Sequence, residues 1–169
     1  MKYIEAMDEY TPVKGETSLF LAGGITGCDD WQARAAAMLG ETDLVVLNPR
    51  RANFPMNDSN ESERQIKWEH RHLKRASGIL FWFPKQTLCP ITLFEYGRWI
   101  AAHKLIVDGA EPLQIIPKPL FVGCDMEYAR SNDLWVQSKL ERPKLLLHYS
   151  LERVIQEVRN WADAKTNPN

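Results

Sequence analysis

The sequence predicts an α/β domain with a mostly parallel central sheet covered by helices on both faces. Several short segments are apolar at nearly every position, and they alternate with segments of helical length and pattern. Strands that are apolar on both faces are typical of parallel sheets buried between two helical layers. The 169 residues suffice for one such domain with a sizeable core, which we place at residues 18–164.

The first half of the chain supplies two strands and two helices. After a polar N-terminal arm at residues 1–17, "SLFLAGG" is typical of a buried strand that ends in glycines. The segment "DDWQARAAAMLG" predicts a helix with Asp29 or Asp30 as N-cap and Gly40 as its stop. "DLVVLNP" predicts a second strand, and residues 61–76 predict an exposed helix with a thin apolar stripe.

The second half continues the alternation. "GILFWFP" predicts a third strand, followed by a helix with Thr87 as N-cap and Pro90 in its first turn. "KLIVDG" and the proline-rich "EPLQIIPKP" come next, and "LFVGCD" is a further strand. A helix at 128–140, the strand "KLLLHY" and the helix "SLERVIQEVRNWADA" complete the domain, and we expect the tail at 165–169 to fray.

Composition excludes several function classes. The net charge of −1 gives no electrostatic footprint for a nucleic acid polymer or an anionic membrane. No apolar run is long enough for a signal peptide or a bilayer span. Cys28, Cys89 and Cys124 are far apart and form no CxxC or Cys/His cluster, so we expect no structural zinc and a reduced setting. These features indicate a cytoplasmic protein without a metal or cofactor.

In open parallel sheets, ligands bind outside the carboxyl ends of the strands. That rule selects four regions here, at residues 23–30, 48–53, 84–95 and 123–133. The unusual residues of the chain fall in the same regions. We therefore expect the functional site to be assembled from them.

Glu95 is the one acidic residue of the apolar, aromatic-rich segment "KQTLCPITLFEYGRW". A buried carboxylate is costly unless it is paired or used. Gly97, two residues later, permits the close approach of a ligand or of another backbone. Glu95 is therefore a candidate nucleophile, and the alternative is an ion pair with Arg98 or with a neighbouring subunit.

The glycine loop "FLAGGITG" lacks the GxGxxG spacing of dinucleotide folds. Asp29 and Asp30 follow it and would repel a phosphate, so a sugar or a base is a better guest, unless the loop is only a tight turn. Arg50 and Arg51 end the second strand. They could hold a phosphate or carboxylate, or could be solvated loop residues.

Cys89 supports a rival hypothesis of a Cys–His hydrolase. A thiol near a helix N-terminus can have a lowered pKa, and His72 or His103 could act as the base. The alternative is a small, packed cysteine beside a proline. In "QIKWEHRHL" the histidine spacing is not HExxH, so a metal site is not indicated. We place this helix mostly at the surface, with Trp68 and Glu69 as possible residues at the rim of the site.

Several blocks occur in an order that resembles the nucleoside 2-deoxyribosyltransferase-like family over residues 20–137: "FLAGGI", "VVLNPRR", "QIKWE", "ILFWFP", "LCPITLFEYG" and "VGCDMEYAR". The resemblance implies a flavodoxin-like (Rossmann-like) three-layer fold with about five strands, and assembly into homodimers or larger oligomers. It also implies transfer of 2-deoxyribose between nucleobases, with a nucleoside or nucleotide and a free nucleobase as small-molecule partners. The E-x-G motif of the family maps onto Glu95 and Gly97, which makes Glu95 the nucleophile.

The resemblance implies a set of site residues around Glu95. Tyr96 could orient the carboxylate, and the aromatic residues at 81–83 could sandwich the base, although they could equally be core. Residues that follow the strand "LFVGCD", with Asp133 among them, could complete a neighbouring subunit's sugar pocket. The substrate-binding candidates are Gly23, Gly24, Ile25, Asn48, Arg50, Trp82, Pro84, Cys89, Gly97, Asp125, Tyr128 and Arg130.

Two acidic positions of the family are replaced here, by the segment at residues 76–78 and by Cys89. Asp43, Asp58, Glu69 or Asp125 could substitute for them. Two other functions therefore stay open beside the transferase. One is a deoxynucleoside 5′-monophosphate N-hydrolase, and the other is a nucleotide-binding or sensor domain without catalysis.

Overall fold

A six-stranded, all-parallel sheet forms the middle layer of the computed structural model, which describes residues 1–55, 58–102 and 118–166. Helices cover both faces of the sheet. The strands are β1 (Lys2–Glu5), β2 (Ser18–Gly23), β3 (Val45–Asn48), β4 (Gly78–Phe83), β5 (Leu120–Cys124) and β6 (Leu147–His148). The helices are α1 (Trp31–Met38), α2 (Ser59–Arg75), α3 (Pro90–Ala101), α4 (Ser131–Glu141) and α5 (Leu151–Thr166).

The strand order is β1-β3-β2-β4-β5-β6. Without β1, this is the flavodoxin-like order, so the predicted fold class is confirmed. The chain runs from β2 outward to β3 on one side and then returns to β4 on the other, with Gly23 of β2 beside Trp82 of β4. This reversal between β2 and β4 is the topological switch point, where a doubly wound sheet leaves a crevice for a ligand.

The N-terminal segment contains a strand that the sequence does not reveal. Residues Lys2–Glu5 pair in parallel with Val45–Asn48 and add an edge strand to the sheet. Only Ile4 of this strand is fully buried, so the segment lacks the continuous apolar run of the central strands. The sheet thus has six strands instead of about five, and residues 2–5 of the expected N-terminal arm belong to it.

Two hydrophobic cores lie on opposite faces of the sheet. One contains Trp68 of α2 and Trp99 of α3, and the other contains Trp31 of α1 and Val154 of α5. Strand β4 alternates between them, since Ile79, Phe81 and Phe83 face α2, α3 and α4 while Leu80 and Trp82 face α1 and α5. This alternation decides which aromatic residues can reach the site.

Helix boundaries follow from local capping. The Asp30 side chain accepts a hydrogen bond from the Ala33 amide at 2.9 Å, so Asp30 is the N-cap of α1. The N-cap of α3 is Cys89, in a left-handed conformation with φ of 49°, and Pro90 is the first helical residue. The expectation of Thr87 as N-cap is wrong, because Pro90 cannot donate a helical hydrogen bond and starts the helix.

Some predicted elements cannot be compared with the structure. "KLIVDG" and most of "EPLQIIPKP" lie outside the described residues, as do the last three residues of the predicted tail. Helix α5 extends to Thr166, two residues beyond the expected domain end. None of the helices in the described ranges combines the length and the apolar character that a bilayer span requires.

Lys118 caps the C-terminal end of α2, and this contact gives a stability prediction. Its Nζ donates to the carbonyls of Leu73 at 2.7 Å, Lys74 at 2.5 Å and Ala76 at 2.5 Å, and lies 4.9 Å from the Trp99 ring centroid. The last carbonyls of a helix lack intrahelical partners and favour a cation. We expect Lys118→Met to lower the free energy of unfolding by about 2–3 kcal/mol in urea denaturation.

The exposed Lys144→Met change is the matched control for Lys118 and should stay within about 0.5 kcal/mol of the wild type. Equal stability of the two variants would show that the three carbonyl contacts contribute nothing.

Candidate active site

A cavity of about 670 Å³ opens at the switch point between β2 and β4. Its walls come from the end of β2 and the glycine loop, from Pro49 after β3, from one face of α2 and from the start of α3. Among the predicted residues, Gly23, Gly24, Ile25, Cys89 and Glu95 line it. The carboxyl-end rule therefore selects the part of the sheet at which this cavity opens.

Glu95 lies on α3 with its half-buried side chain in this cavity. Within the described part of the chain its carboxylate makes no ion pair and no hydrogen bond. Arg98, the alternative partner, turns instead to His70, with Nη1 3.4 Å from the ring Nδ1. Burial, and secondarily the charge of Glu69, raises the pKa of Glu95 to about 8. Glu95 is thus a carboxyl group that is placed in a cavity and that no cation among the described residues compensates.

Glu69 of α2 lines the same cavity and provides a second carboxyl group. Burial raises its pKa, and a hydrogen bond from Gln65 opposes that shift. Gln65 Nε2 donates both to Glu69 Oε1 at 2.8 Å and to the Pro49 carbonyl at 2.7 Å. The sequence marks Glu69 only as a rim residue and as one of several possible substitutes for a missing acid. The Gln-Ile-Lys-Trp-Glu spacing, which puts Gln65 and Glu69 one turn apart, is the signal that could have found this pair.

The glycines after β2 allow the loop at residues 84–89 to approach the sheet. A Cβ on Gly24 would lie 2.8 Å from Pro84 Cγ, 2.8 Å from Thr87 Cγ2 and 2.9 Å from Cys89 Sγ. The Gly24 carbonyl accepts hydrogen bonds from the side chains of Trp31 and Gln32. The glycine turn therefore both packs against the loop at residues 84–89 and forms part of the cavity wall. Pro84 contacts this turn and does not itself line the cavity.

Cys89 is not an activated thiol. Burial raises its pKa to about 11, and its Sγ donates to the Thr87 carbonyl at 3.4 Å. His72 is fully buried, stacks on Trp68 at 4.0 Å and accepts the Tyr10 amide through Nε2. His103 lies outside the described residues. The Cys–His hypothesis is therefore unsupported, because the helix N-terminus does not compensate the burial of the sulfur.

Comparison with known proteins now decides the family. A family model described as "Nucleoside 2-deoxyribosyltransferase like" matches residues 16–111, more than half of the chain. The chain belongs to the nucleoside 2-deoxyribosyltransferase-like family. No curated protein sequence matches the chain. The matched region contains Glu69, Glu95 and Gly97 and ends before β5. Membership in this nucleoside 2-deoxyribosyltransferase-like family suggests a glycosyl-transfer enzyme with nucleoside and nucleobase substrates.

The arginine expected to meet substrate in this nucleoside 2-deoxyribosyltransferase-like protein is engaged elsewhere. Arg50 donates to the carbonyls of Cys28 at 2.9 Å and Asp29 at 2.8 Å. The Asn48 side chain donates to the Tyr3 hydroxyl and accepts the Arg50 amide at 3.0 Å. Arg50 therefore holds the loop before α1, Asn48 holds the turn after β3, and neither side chain lines the cavity.

Arg51 lines the cavity instead of Arg50. Its Nη1 lies 2.6 Å from Glu61 Oε2, and its guanidinium lies 5.3 Å from the Phe54 ring centroid. Arg51 therefore already has a carboxylate partner within the chain, which it shares with Arg64. From the sequence, Arg50 and Arg51 are equal candidates for contact with a ligand, and only the fold shows that Arg51 is the one that lines the cavity.

Tyr96, Trp82 and Gly97 lie away from Glu95's cavity. The Tyr96 hydroxyl is 2.6 Å from Ser138 Oγ of α4, so it does not orient the carboxylate. Trp82 faces the opposite core and is 4% exposed, so it does not stack on a base in this cavity. Gly97 borders a shallow groove between α3 and α4, and a Cβ there would meet nothing within 4 Å. One step along a helix or strand turns a side chain to another face.

The residues after β5 hold the loop that leads into α3. Asp125 Oδ2 accepts the Lys85 amide at 2.9 Å, and the Tyr128 hydroxyl donates to the Leu88 carbonyl at 2.9 Å. Arg130 is exposed, with Nη1 3.7 Å from Asp133. None of these side chains lines the cavity of its own chain. In residues 1–55, 58–102 and 118–166 there is also no group of three side chains arranged to hold a metal.

Proposed function

We propose that the protein transfers 2-deoxyribose between nucleobases by cleaving the N-glycosidic bond of a deoxyribonucleoside. Glu95 is the nucleophile and forms a covalent glycosyl intermediate. The observation that carries this proposal is the Glu95 carboxyl group in the cavity at the switch point, which has no cationic partner in the described parts of the chain. Such a group destabilises the fold, and active sites are where such costs are retained.

The chemistry of the bond explains why a carboxylate is useful here. Cleavage of a glycosidic bond passes through an oxocarbenium-like state at C1′. A carboxylate can capture that carbon, and a second nucleophile then opens the ester, with overall retention of configuration. Glu95 has little solvation to lose before attack because its cavity is largely apolar-walled. A cavity that excludes water also favours a base over water as the acceptor.

The charges around the cavity support a nucleoside over a 5′-monophosphate. Arg50 is bonded to backbone carbonyls, and Arg51 is paired with Glu61. Asp29 and Asp30 stand at the start of α1, where an anion would otherwise be favoured by the helix N-terminus. Arg51 is therefore the one cation of the described cavity wall, and a phosphate would have to compete with Glu61 for it.

Base exchange is the direct test of the proposed function. The protein is incubated with 2′-deoxyadenosine and free cytosine, and the products are followed by chromatography. We expect 2′-deoxycytidine and adenine to appear in equal amounts. Free 2-deoxyribose in place of the new nucleoside would indicate a hydrolase, and an intact bound nucleoside would indicate a binding domain. A parallel incubation uses 2′-deoxyadenosine 5′-monophosphate, and cleavage of this substrate alone would indicate the N-hydrolase. Each of these results contradicts the transferase proposal.

We also propose that the protein works as a homo-oligomer in the cytoplasm, in nucleotide salvage. Ile91 and Phe94 of α3 are 65% and 76% exposed, and Trp135 of α4 is 47% exposed. Exposed apolar side chains of this size on neighbouring helices are typical of contact surfaces. The three free cysteines are compatible with a reducing compartment.

Light scattering after size exclusion tests the assembly. We expect the wild type to elute as a dimer or larger species, and Phe94→Asp to shift it toward the monomer because a charge would be buried at the contact. The change Tyr149→Asp, at an exposed residue directly after β6, is the control. A monomeric wild type would contradict the proposal.

A further inference from the structure

Glu69 and Glu95 share two cavities. Both line the main cavity of about 670 Å³, and both also line a groove of about 230 Å³ between α2 and α3. The exposed side chains of Ile66 and Ile91 flank the same two spaces. The two carboxyl groups therefore stand together at the junction of the cavity and the groove, one on each helix.

Gln65 fixes the orientation of Glu69. Its Nε2 donates to Glu69 Oε1 and to the Pro49 carbonyl, so one oxygen of Glu69 is held while Oε2 has no partner in the described residues. Gln65 is 9% exposed, and its Oε1 is buried without a hydrogen-bond partner among the described residues. A buried acceptor without a partner is costly. An N–H group of a bound ligand would satisfy it.

The other polar groups around this pair do not neutralise Glu69. In the groove, Arg98 and His70 contact each other. In the cavity, Arg51 is paired with Glu61, and Cys89 is a neutral thiol. Glu69 makes no ion pair within the part of the chain that the structure describes.

We propose that Glu69 is the acid–base residue of the reaction, with Gln65 as its positioning residue. This inference rests on the proposed function. In the first step an oxygen of Glu95 bonds to C1′, the C1′–N bond breaks, and its electron pair goes to the base. The Glu69 proton moves to a ring nitrogen or oxygen of that base, which leaves as a neutral molecule.

The second step reverses these transfers. A ring nitrogen of the incoming base attacks C1′ while the ester bond to Glu95 breaks and its electron pair returns to the carboxylate. The N–H proton of the incoming base moves to Glu69. Both side chains then have their starting protonation, and the exchange needs no further reactant.

The first step requires a protonated Glu69 and an ionised Glu95, so the two glutamates must hold one proton between them. Burial and like charge disfavour loss of the last proton from such a pair, whose apparent pKa values belong to the pair as a whole. Because the charge of Glu69 contributes to the raised pKa of Glu95, the shared proton rests mainly on Glu95. The productive arrangement, with Glu69 as acid and Glu95 as carboxylate, forms when that proton moves to Glu69. Because the last proton leaves at alkaline pH, kcat/KM for a nucleoside is expected to fall there.

The test separates proton donation from a structural role. Wild type, Glu69→Gln, Glu95→Gln and Glu63→Gln are compared on 2′-deoxyadenosine and on the 2-deoxyribofuranoside of 4-nitrophenol, which leaves as a stable anion without a proton. For Glu69→Gln we expect a loss of about 10²–10⁴-fold in kcat/KM on deoxyadenosine and less than about tenfold on the nitrophenyl substrate. The fall in kcat/KM of the wild type at alkaline pH should be absent on the nitrophenyl substrate, which needs no proton donor. Glu63, exposed on the same helix and paired with Lys67, is the matched control.

The outcomes are distinguishable. If Glu69→Gln lost kcat/KM equally on both substrates, or kept the wild-type rate on deoxyadenosine, the role of Glu69 would be overturned. An inactive Glu95→Gln variant would in that case still support the proposed function. A fully active Glu95→Gln variant, or a wild type that cleaves neither substrate, would overturn both proposals.

Discussion

Replacement of Glu95 by glutamine is expected to abolish base exchange and to stabilise the folded protein at the same time. A carboxamide cannot capture C1′ as a carboxylate does, so we expect kcat/KM to fall by more than about 10³-fold. The side chain keeps its size and its place on α3, so the cavity should be retained. Loss of activity with a gain in stability is the expected signature of a functional residue whose burial is uncompensated.

The stability gain depends on pH in a defined direction. The folded-state pKa of Glu95, about 8, lies above its ordinary value of 4.5, because burial and the Glu69 charge disfavour ionisation. The folded state therefore holds this proton more tightly, and the stability of the wild type falls as pH rises from about 4.5 to about 8. Glutamine does not titrate. Because Glu95 keeps some contact with solvent, we expect the variant to gain on the order of 1–3 kcal/mol at pH 8 and little at pH 4.

Urea denaturation at the two pH values measures this gain, and Glu63→Gln controls for loss of a glutamate at an exposed site. A Glu95→Gln variant that is less stable than the wild type at pH 8 would mean that the carboxylate is paired after all. In that case the enzymatic interpretation of Glu95 would lose its physical basis.

Gly23→Ala is expected to cause a large loss of stability. A Cβ on Gly23 would lie 2.4 Å from the Trp82 carbonyl oxygen and 2.4 Å from Trp31 Cζ2. Neither neighbour can move easily, because the first is backbone of β4 and the second is a buried indole whose Nε1 bonds to the Gly24 carbonyl at 2.9 Å. We expect a decrease of about 3 kcal/mol or more in the free energy of unfolding.

Gly97→Ala is the matched control for this substitution. Gly97 is exposed on α3, and an added Cβ would meet nothing within 4 Å, so the variant should be as stable as the wild type or up to about 1 kcal/mol more stable. Thermal denaturation of both variants compares them directly. Similar melting temperatures would contradict the packing account of the β2 terminus.

The sequence predicts the fold through its most buried segments. Strands such as "GILFWFP" are apolar at every position because both of their faces are covered, and this pattern alone indicates a parallel sheet between helices. Edge strand β1 escapes the same reasoning, since its single fully buried residue, Ile4, leaves no run to recognise. The N-cap of α3 is also not predictable from sequence, because Cys89 adopts a left-handed backbone conformation that its residue type does not favour.

The sequence predicts where the cavity opens, but only some of the residues that line it. Glu95 is conspicuous because it is a lone charge in an apolar helix. Glu69 is one of several charges on a polar helix, and only the approach of α2 to α3 distinguishes it. Tyr96 and Trp82 do not line the cavity, because adjacent positions of a helix or strand face different sides. The sequence does not show which side faces the cavity until the orientation of each strand and helix is known.

The measurement that bears most directly on the account is the trapping of a covalent adduct. The protein is mixed with a deoxyribonucleoside in the absence of an acceptor base, quenched in acid, digested and analysed by mass spectrometry. We expect one 2-deoxyribosyl group on the peptide that contains Glu95, and its disappearance when a free base is added before the quench. Base exchange that proceeds without any adduct, or an adduct on a different side chain, would contradict the assignment of Glu95 as the nucleophile.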